Sequence, residues 1–97
     1  MRRDAKRDAN EENLIDVFES MGCAVAKVNS DTGFPDLVVH VAPYQTALVE
    51  VKMPGERLTT KQKLFHASWP GRIHMAYTTT DAIEIVKFYR GEPWKKS

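Results

Sequence analysis

Asp36 directly follows the Gly-Phe-Pro step of "GFPD", and Glu50 and Lys52 stand one residue apart within "LVEVK". All three are set into runs that are otherwise β-branched and apolar. Strand alternation puts Glu50 and Lys52 on one face with Leu48 beside them, and Val49 and Val51 on the other. "PDLVVHV" and "TALVEVK" are joined by "APYQ", short enough for an antiparallel hairpin. With residues 43 to 45 as its turn, Asp36 comes opposite a position close to Glu50 or Lys52. Two carboxylates and an ammonium then converge at one end of a sheet. Adjacent carboxylates repel, and one is pushed toward protonation unless a cation intervenes. Mg²⁺ takes hard oxygen ligands, keeps several waters, and is typically held by one or two carboxylates plus a substrate phosphate. Asp36 and Glu50 supply that set, and the Val51 carbonyl adds a neutral oxygen. Lys52 alongside would orient or polarise the attacking water and offset charge building on a phosphate. The chemistry this arrangement fits is metal-assisted phosphodiester hydrolysis. The plainer alternative is a same-face ion pair with Asp36 ending a turn, and the flanking "GFPD" and "MPGERLTTKQ" argue against it.

Further candidates surround this group. Glu11 lies three, four and seven residues before Leu14, Ile15 and Phe18, on the inward face of a helix, whereas Glu12 lines up with Asp16 and Glu19 on the solvated face. Geometry favours Glu11 as a third acid, although a first-turn acid also complements the helix dipole. Gln62 stands three residues after Thr59, the capping-box spacing, and one turn inside a helix that starts shortly after Lys52. It can close the helix, hold a water or phosphate oxygen, or do both. Arg57, Lys61 and Lys63 follow as a basic group suited to phosphates. Ser30 and Asp31 are turn formers first and DNA contacts second. His40, His66 and His74 lack the spacing of a zinc site; His66, four residues after Gln62, is placed to approach DNA. Cys23 reads as a buried small apolar residue. Trp69, Tyr44, Tyr77, Phe88 and Tyr89 read as core, and Trp94 in the basic tail as either core or base-stacking.

The elements that must position these residues follow from periodicity. Leu14, Ile15, Val17, Phe18 and Met21 predict a helix from about residue 8 to 21, stopped by Gly22. "CAVAKVN", "PDLVVHV" and "TALVEVK" predict three consecutive strands. "LTTKQKLFHAS" restarts a helix with Leu58, Gln62, Phe65 and Trp69 on one face. "GRIHMAY" gives a fourth strand, and "DAIEIVKFY" a last helix with Asp81 and Glu84 at capping-box spacing. The fourth strand arrives by a helical crossover and can join the sheet in parallel. The expected fold class is α/β, a small mixed sheet flanked by helices.

At 97 residues the chain fits one domain, residues 1–97, with loose ends at about 1–7 and 92–97. Hydrophobic residues make up 42% and charged residues 28%, and no apolar run approaches the roughly 20 residues of a membrane span. The charged N-terminus lacks the apolar stretch of a secretory signal, and the lone Cys23 has no internal disulfide partner, so a cytoplasmic setting is expected. The net charge of +1 does not advertise nucleic-acid binding, but Arg2, Arg3, Lys6, Arg7, Lys95 and Lys96 cluster at the ends.

The ordered set of Glu11, "GFPD", "EVK" and Gln62 resembles the PD-(D/E)XK nuclease superfamily, and more narrowly the VRR-NUC domain, over nearly the whole chain. The glycine after "EVK" and the "Trp69-Pro70-Gly71" region match the same rhythm. The resemblance implies an αβββαβ restriction-endonuclease-like core, Mg²⁺ or Mn²⁺ dependence, and cleavage of DNA. It makes Asp36 and Glu50 metal ligands, Lys52 the catalytic lysine, Glu11 the helical acid and Gln62 the motif glutamine. "NEENLIDVFESMGCAV" is similar to the opening helix of archaeal Holliday-junction resolvases. Stand-alone VRR-NUC proteins of phages and bacteria are similar to those resolvases in being small homodimers acting on branched DNA, so the resemblance implies a homodimer acting on branched or junction DNA in a bacterial or phage-infected host cell. A structure-selective or nicking nuclease without junction preference, and an inactive DNA-binding module of the same fold, are the alternatives.

Overall fold

The computed structural model describes residues 5–41 and 45–91, with side chains from residue 8 onward. The elements are α1 (Ala5–Ser20), β1 (Ala24–Lys27), β2 (Leu37–Val41), β3 (Gln45–Val51), α2 (Thr60–Ser68), β4 (Ile73–Ala76) and α3 (Thr79–Arg90). They follow the order the periodicity predicts. Four strands form one sheet in the order β1-β2-β3-β4. β1 and β3 pair antiparallel with β2, while β4, delivered by the α2 crossover, pairs parallel with β3.

The strand period of two divides the sheet into an oily face and a charged one. Leu37, Val39 and Val41 of β2 and Ala47, Val49 and Val51 of β3 are buried with Leu14, Ile15 and Phe18 of α1 and Ala82, Ile85 and Val86 of α3. These two helices cover that face and touch each other. The residues between, Glu50 above all, turn to the opposite face, where α2 lies. No residue of α2 is fully buried, so polar contacts and the half-buried Phe65 ring hold it in place of a hydrophobic core.

Four details differ from the sequence expectations. α1 starts at Ala5, so the backbone of residues 5–7 is helical; the remainder of the two ends expected to be loose, with Arg2, Arg3, Trp94, Lys95 and Lys96, lies outside the described residues. Gln45 is already paired with Val41 in β3, and Pro43 and Tyr44 lie outside the described residues. The capping box of α3 is Thr78 with Asp81, one turn earlier than Asp81 with Glu84. Thr78 keeps extended backbone and offers its hydroxyl to the Asp81 N–H, and the Asp81 carboxylate accepts from the N–H groups of Tyr77 and Thr78. Phe88 is 56% and Trp69 39% exposed, so neither is core. The inward stripe of α3 runs through Ala82, Ile85 and Val86, with Tyr89 packed against it, and this turns Phe88 outward beneath the Arg72 guanidinium, 4.7 Å from its ring centre. Cys23 is buried as expected, and burial pushes its thiol above the ordinary value despite the nearby Arg90 charge. No helix among the described residues is long and apolar enough to cross a membrane.

Candidate active site

The β2–β3 register fixes the first part of the site. Leu37 pairs with Val49, so one step further Asp36 stands level with Glu50. Asp36 Oδ2 accepts the Val51 N–H at 2.9 Å, while its carbonyl accepts the Val28 N–H at 2.8 Å, tying the residue to strands on both sides. Asp36, Glu50 and the Val51 backbone therefore come together at one sheet end.

Glu50 is completely buried, which is expensive for a carboxylate unless donors replace its water. α2 supplies them. Gln62 Nε2 donates to Oε2 at 3.1 Å, and His66 Nε2 lies 3.2 Å from Oε1. Gln62 also closes the helix, its Oε1 accepting the Thr59 N–H at 2.8 Å while Thr59 Oγ1 accepts the Gln62 N–H at 3.2 Å. One amide orientation meets both demands, so capping and carboxylate contact belong to the same residue. His66 is held below the usual histidine range, first by burial and then by the Lys52 ammonium. It is therefore neutral at neutral pH and presents an N–H to Glu50.

Lys52 is only 1% exposed. Its backbone N–H donates to the Ala76 carbonyl at 3.1 Å, so β4 fixes where the side chain begins. Its Nζ lies 3.7 Å from Glu56 Oε2, and Glu56 Oε1 accepts the Met53 N–H at 2.8 Å. Glu56 thereby ties the ammonium to the "MPGE" turn. Glu11 faces Lys27, with Nζ at 3.6 Å, and the same ammonium lies 3.2 Å from Glu12. The hydrogen bond to Glu12 and then the charges of both acids raise Lys27 above its ordinary value. Among the described residues no three His, Cys, Asp or Glu side chains gather as a metal-holding group. The structure thus brings Asp36 and Glu50 together with a backbone segment and does not gather Glu11 into that set.

The basic candidates flank the acids in two clefts. Ser30 and Lys61 line one with Asp36, Phe34 and Gln62; Arg57 and Lys63 line the other with Glu56, His66 and Tyr77. Ser30 also shapes its loop, with Oγ 2.7 Å from Thr32 Oγ1 and accepting the Thr32 N–H, and Lys61 Nζ donates to the Asp31 carbonyl at 2.9 Å. Two residues join the site that sequence reasoning had not placed in it, His66 and Glu56. His66 carried a signal, since it is one turn from Gln62 on the same helix face. Glu56 carried none, because it reaches Lys52 from an irregular turn.

Two carboxylates and a carbonyl oxygen, with no thiolate, are the hard oxygen donors that Mg²⁺ or Mn²⁺ takes. The VRR-NUC domain profile matches residues 5–69, more than half of the chain and the part that carries Glu11, Asp36, Glu50, Lys52, Gln62 and His66. A solved structure described as "VRR_NUC domain" superposes with a TM-score of 0.73 over 87% of this chain and 97% of that one, at 20% identity, a likeness of fold. A Fanconi-associated nuclease 1 homolog of Caenorhabditis elegans is 52% identical over 40 residues, 40% of this chain and 5% of that relative's length. The chain thus spans only a small part of the curated relative it matches. With its sheet, its Asp36–Glu50–Lys52 group and the α2 glutamine all in the expected order, the chain belongs to the VRR-NUC domain family.

Proposed function

We propose that the chain is a metal-dependent DNA endonuclease that hydrolyses phosphodiester bonds, working as a homodimer on branched or junction DNA. The observation that carries the hydrolytic reading is the convergence of Asp36 and the buried Glu50 at one sheet end, with the buried Lys52 beside them. The family and the word nuclease in its relative's name support it. Junction preference and the dimer rest on the likeness of the first-helix segment to resolvases, and on the need for two sites to cut two strands.

Asp36, Glu50 and the Val51 carbonyl would hold Mg²⁺ or Mn²⁺, which supplies a polarised phosphate oxygen and a more acidic bound water. The protein's own groups do the rest. The Val51 N–H anchors Asp36 through Oδ2, leaving Oδ1 to meet a ligand. Lys52 sets a fixed, desolvated positive charge next to the phosphate, where charge grows in the transition state. Lys61 and Arg57, on either side of the acids, would carry the DNA backbone across them.

The test is cleavage of a labelled four-way junction, with linear duplex, single strand and flap as controls, in Mg²⁺, Mn²⁺ and EDTA. Wild type should cut the junction symmetrically in either metal, EDTA should abolish cutting, and Lys52→Ala should lower the rate by at least about a hundredfold while still retaining the DNA. Equal cutting of every substrate would leave a nuclease without junction preference. No cutting in either metal would leave a DNA-binding module.

A further inference from the structure

We propose that His66 is a positioning residue: with Gln62, one turn earlier on α2, it grips both oxygens of Glu50 and fixes the orientation in which that carboxylate serves the reaction. The inference rests on the nuclease reading above and deepens it.

Glu50 is wholly buried, with Gln62 Nε2 at 3.1 Å from Oε2 and His66 Nε2 at 3.2 Å from Oε1. An ionised carboxylate only accepts hydrogen bonds, so His66 Nε2 carries the proton and its tautomer is set. Loss of the donor on one oxygen loosens the carboxylate about its last torsion. Donors on both oxygens fix its plane.

The grip is firm only if α2 is itself held at both ends, and it is. Its start is closed by the Thr59–Gln62 box. Its end is held by rings: Phe65 and Trp69 stack at 5.3 Å between centres, and both meet Phe34, which precedes Asp36 in the loop. His66 follows Phe65 directly, so the ring cluster that ties α2 to the Asp36 loop also sets the height of the imidazole over Glu50. Groups that orient a ligating carboxylate in this way typically contribute about 10- to 100-fold in metal affinity or rate.

The experiment compares wild type with His66→Leu, which keeps bulk and loses the donor, and His66→Gln, whose amide N–H can reach the same oxygen. Three quantities are measured on the whole chain: Mn²⁺ affinity by calorimetry without DNA, kcat and KM for junction cleavage, and Tm. His66→Leu should bind Mn²⁺ and turn over about tenfold or more worse, with KM close to wild type and Tm lowered by the lost donor to the buried carboxylate, and His66→Gln should recover most of these losses. A wild-type Mn²⁺ affinity and kcat in His66→Leu overturns the proposal, and so does a change confined to KM, which would make His66 a DNA contact. Failure of His66→Gln to recover, when it folds, also overturns it. A wild-type protein that neither binds Mn²⁺ nor cleaves overturns the nuclease reading beneath it, a result none of the His66 outcomes mimics.

Discussion

At the scale of single residues, Gln62 performs two tasks with the two ends of one amide. Its oxygen closes α2 on the Thr59 N–H and its nitrogen feeds the buried Glu50. Gln62→Glu separates them. Glutamate is an equally good capping-box partner, so the helix start survives. The donor to Glu50 is replaced by a second carboxylate, which drives one of the pair toward protonation. Cleavage by Gln62→Glu should therefore fall on the order of 10- to 100-fold while the far-ultraviolet circular dichroism stays that of wild type; a fully active Gln62→Glu would show that the amide N–H is dispensable. The capping role could be read from spacing; the contact with Glu50 stands where the sequence suggested a water or phosphate oxygen, because spacing along α2 does not tell which group of the sheet lies under it. Asp36, Glu50 and Lys52 were legible through strand alternation and hairpin register. Glu56 was not, since the turn that brings it to Lys52 obeys no period.

At the scale of elements, the placement of α2 decides whether the site exists, and a glycine in the loop between β1 and β2 controls it. A Cβ on Gly33 would lie 2.4 Å from the Lys61 carbonyl oxygen, and Gly33 has φ +94°. Gly55 has a similar φ of +87° and open space around its missing Cβ. The pair separates backbone strain from close approach. Gly55→Ala should cost about 1 kcal/mol from the left-handed backbone alone. Gly33→Ala adds a clash with backbone, must lift α2 from the sheet, and should cost a further 1–3 kcal/mol or so. Thermal melts would resolve this, at about 4–8 °C per kcal/mol for a domain of this size. Gly33→Ala should also lose cleavage out of proportion to its stability, and equal melting points for the two variants would contradict the close-packing account. The element order, the α2 cap and the parallel fourth strand were all legible, since each follows from a period, a capping residue or a crossover. The α3 cap was displaced because the threonines before Asp81 offer an earlier hydroxyl, and the register of that helix then decides which way Phe88 faces.

At the scale of the whole molecule, the two faces of the sheet divide the labour. α1 and α3 bury the oily face and supply cohesion, while α2 crosses a charged face that contributes little burial. Substitutions in the α3–β4 seam should accordingly read out in stability, and His74 is the place to test this. Its Nε2 lies 2.8 Å from Tyr89 Oη, Phe88 and Tyr89 pack edge-on to its ring, and Arg72 stands nearby. Burial first, and then the Arg72 charge, lowers it from the ordinary 6.5. Below 6.5 the unfolded chain takes up a proton that folded His74 resists, so the unfolded state binds more protons and stability falls as pH drops. The contribution is fully present above about 6.5, the unfolded-state value, and disappears once the pH has passed below the folded one. Urea unfolding at pH 7.5, 6.5, 5.5 and 5.0 should show this decline in wild type, with a shallower slope in His74→Gln, which has nothing to titrate there. Some slope should remain in the variant, because His66 is shifted the same way. Parallel slopes in the two proteins would mean that the seam tolerates a charged imidazole, and that its burial beside Arg72 does not bear on the fold's acid sensitivity.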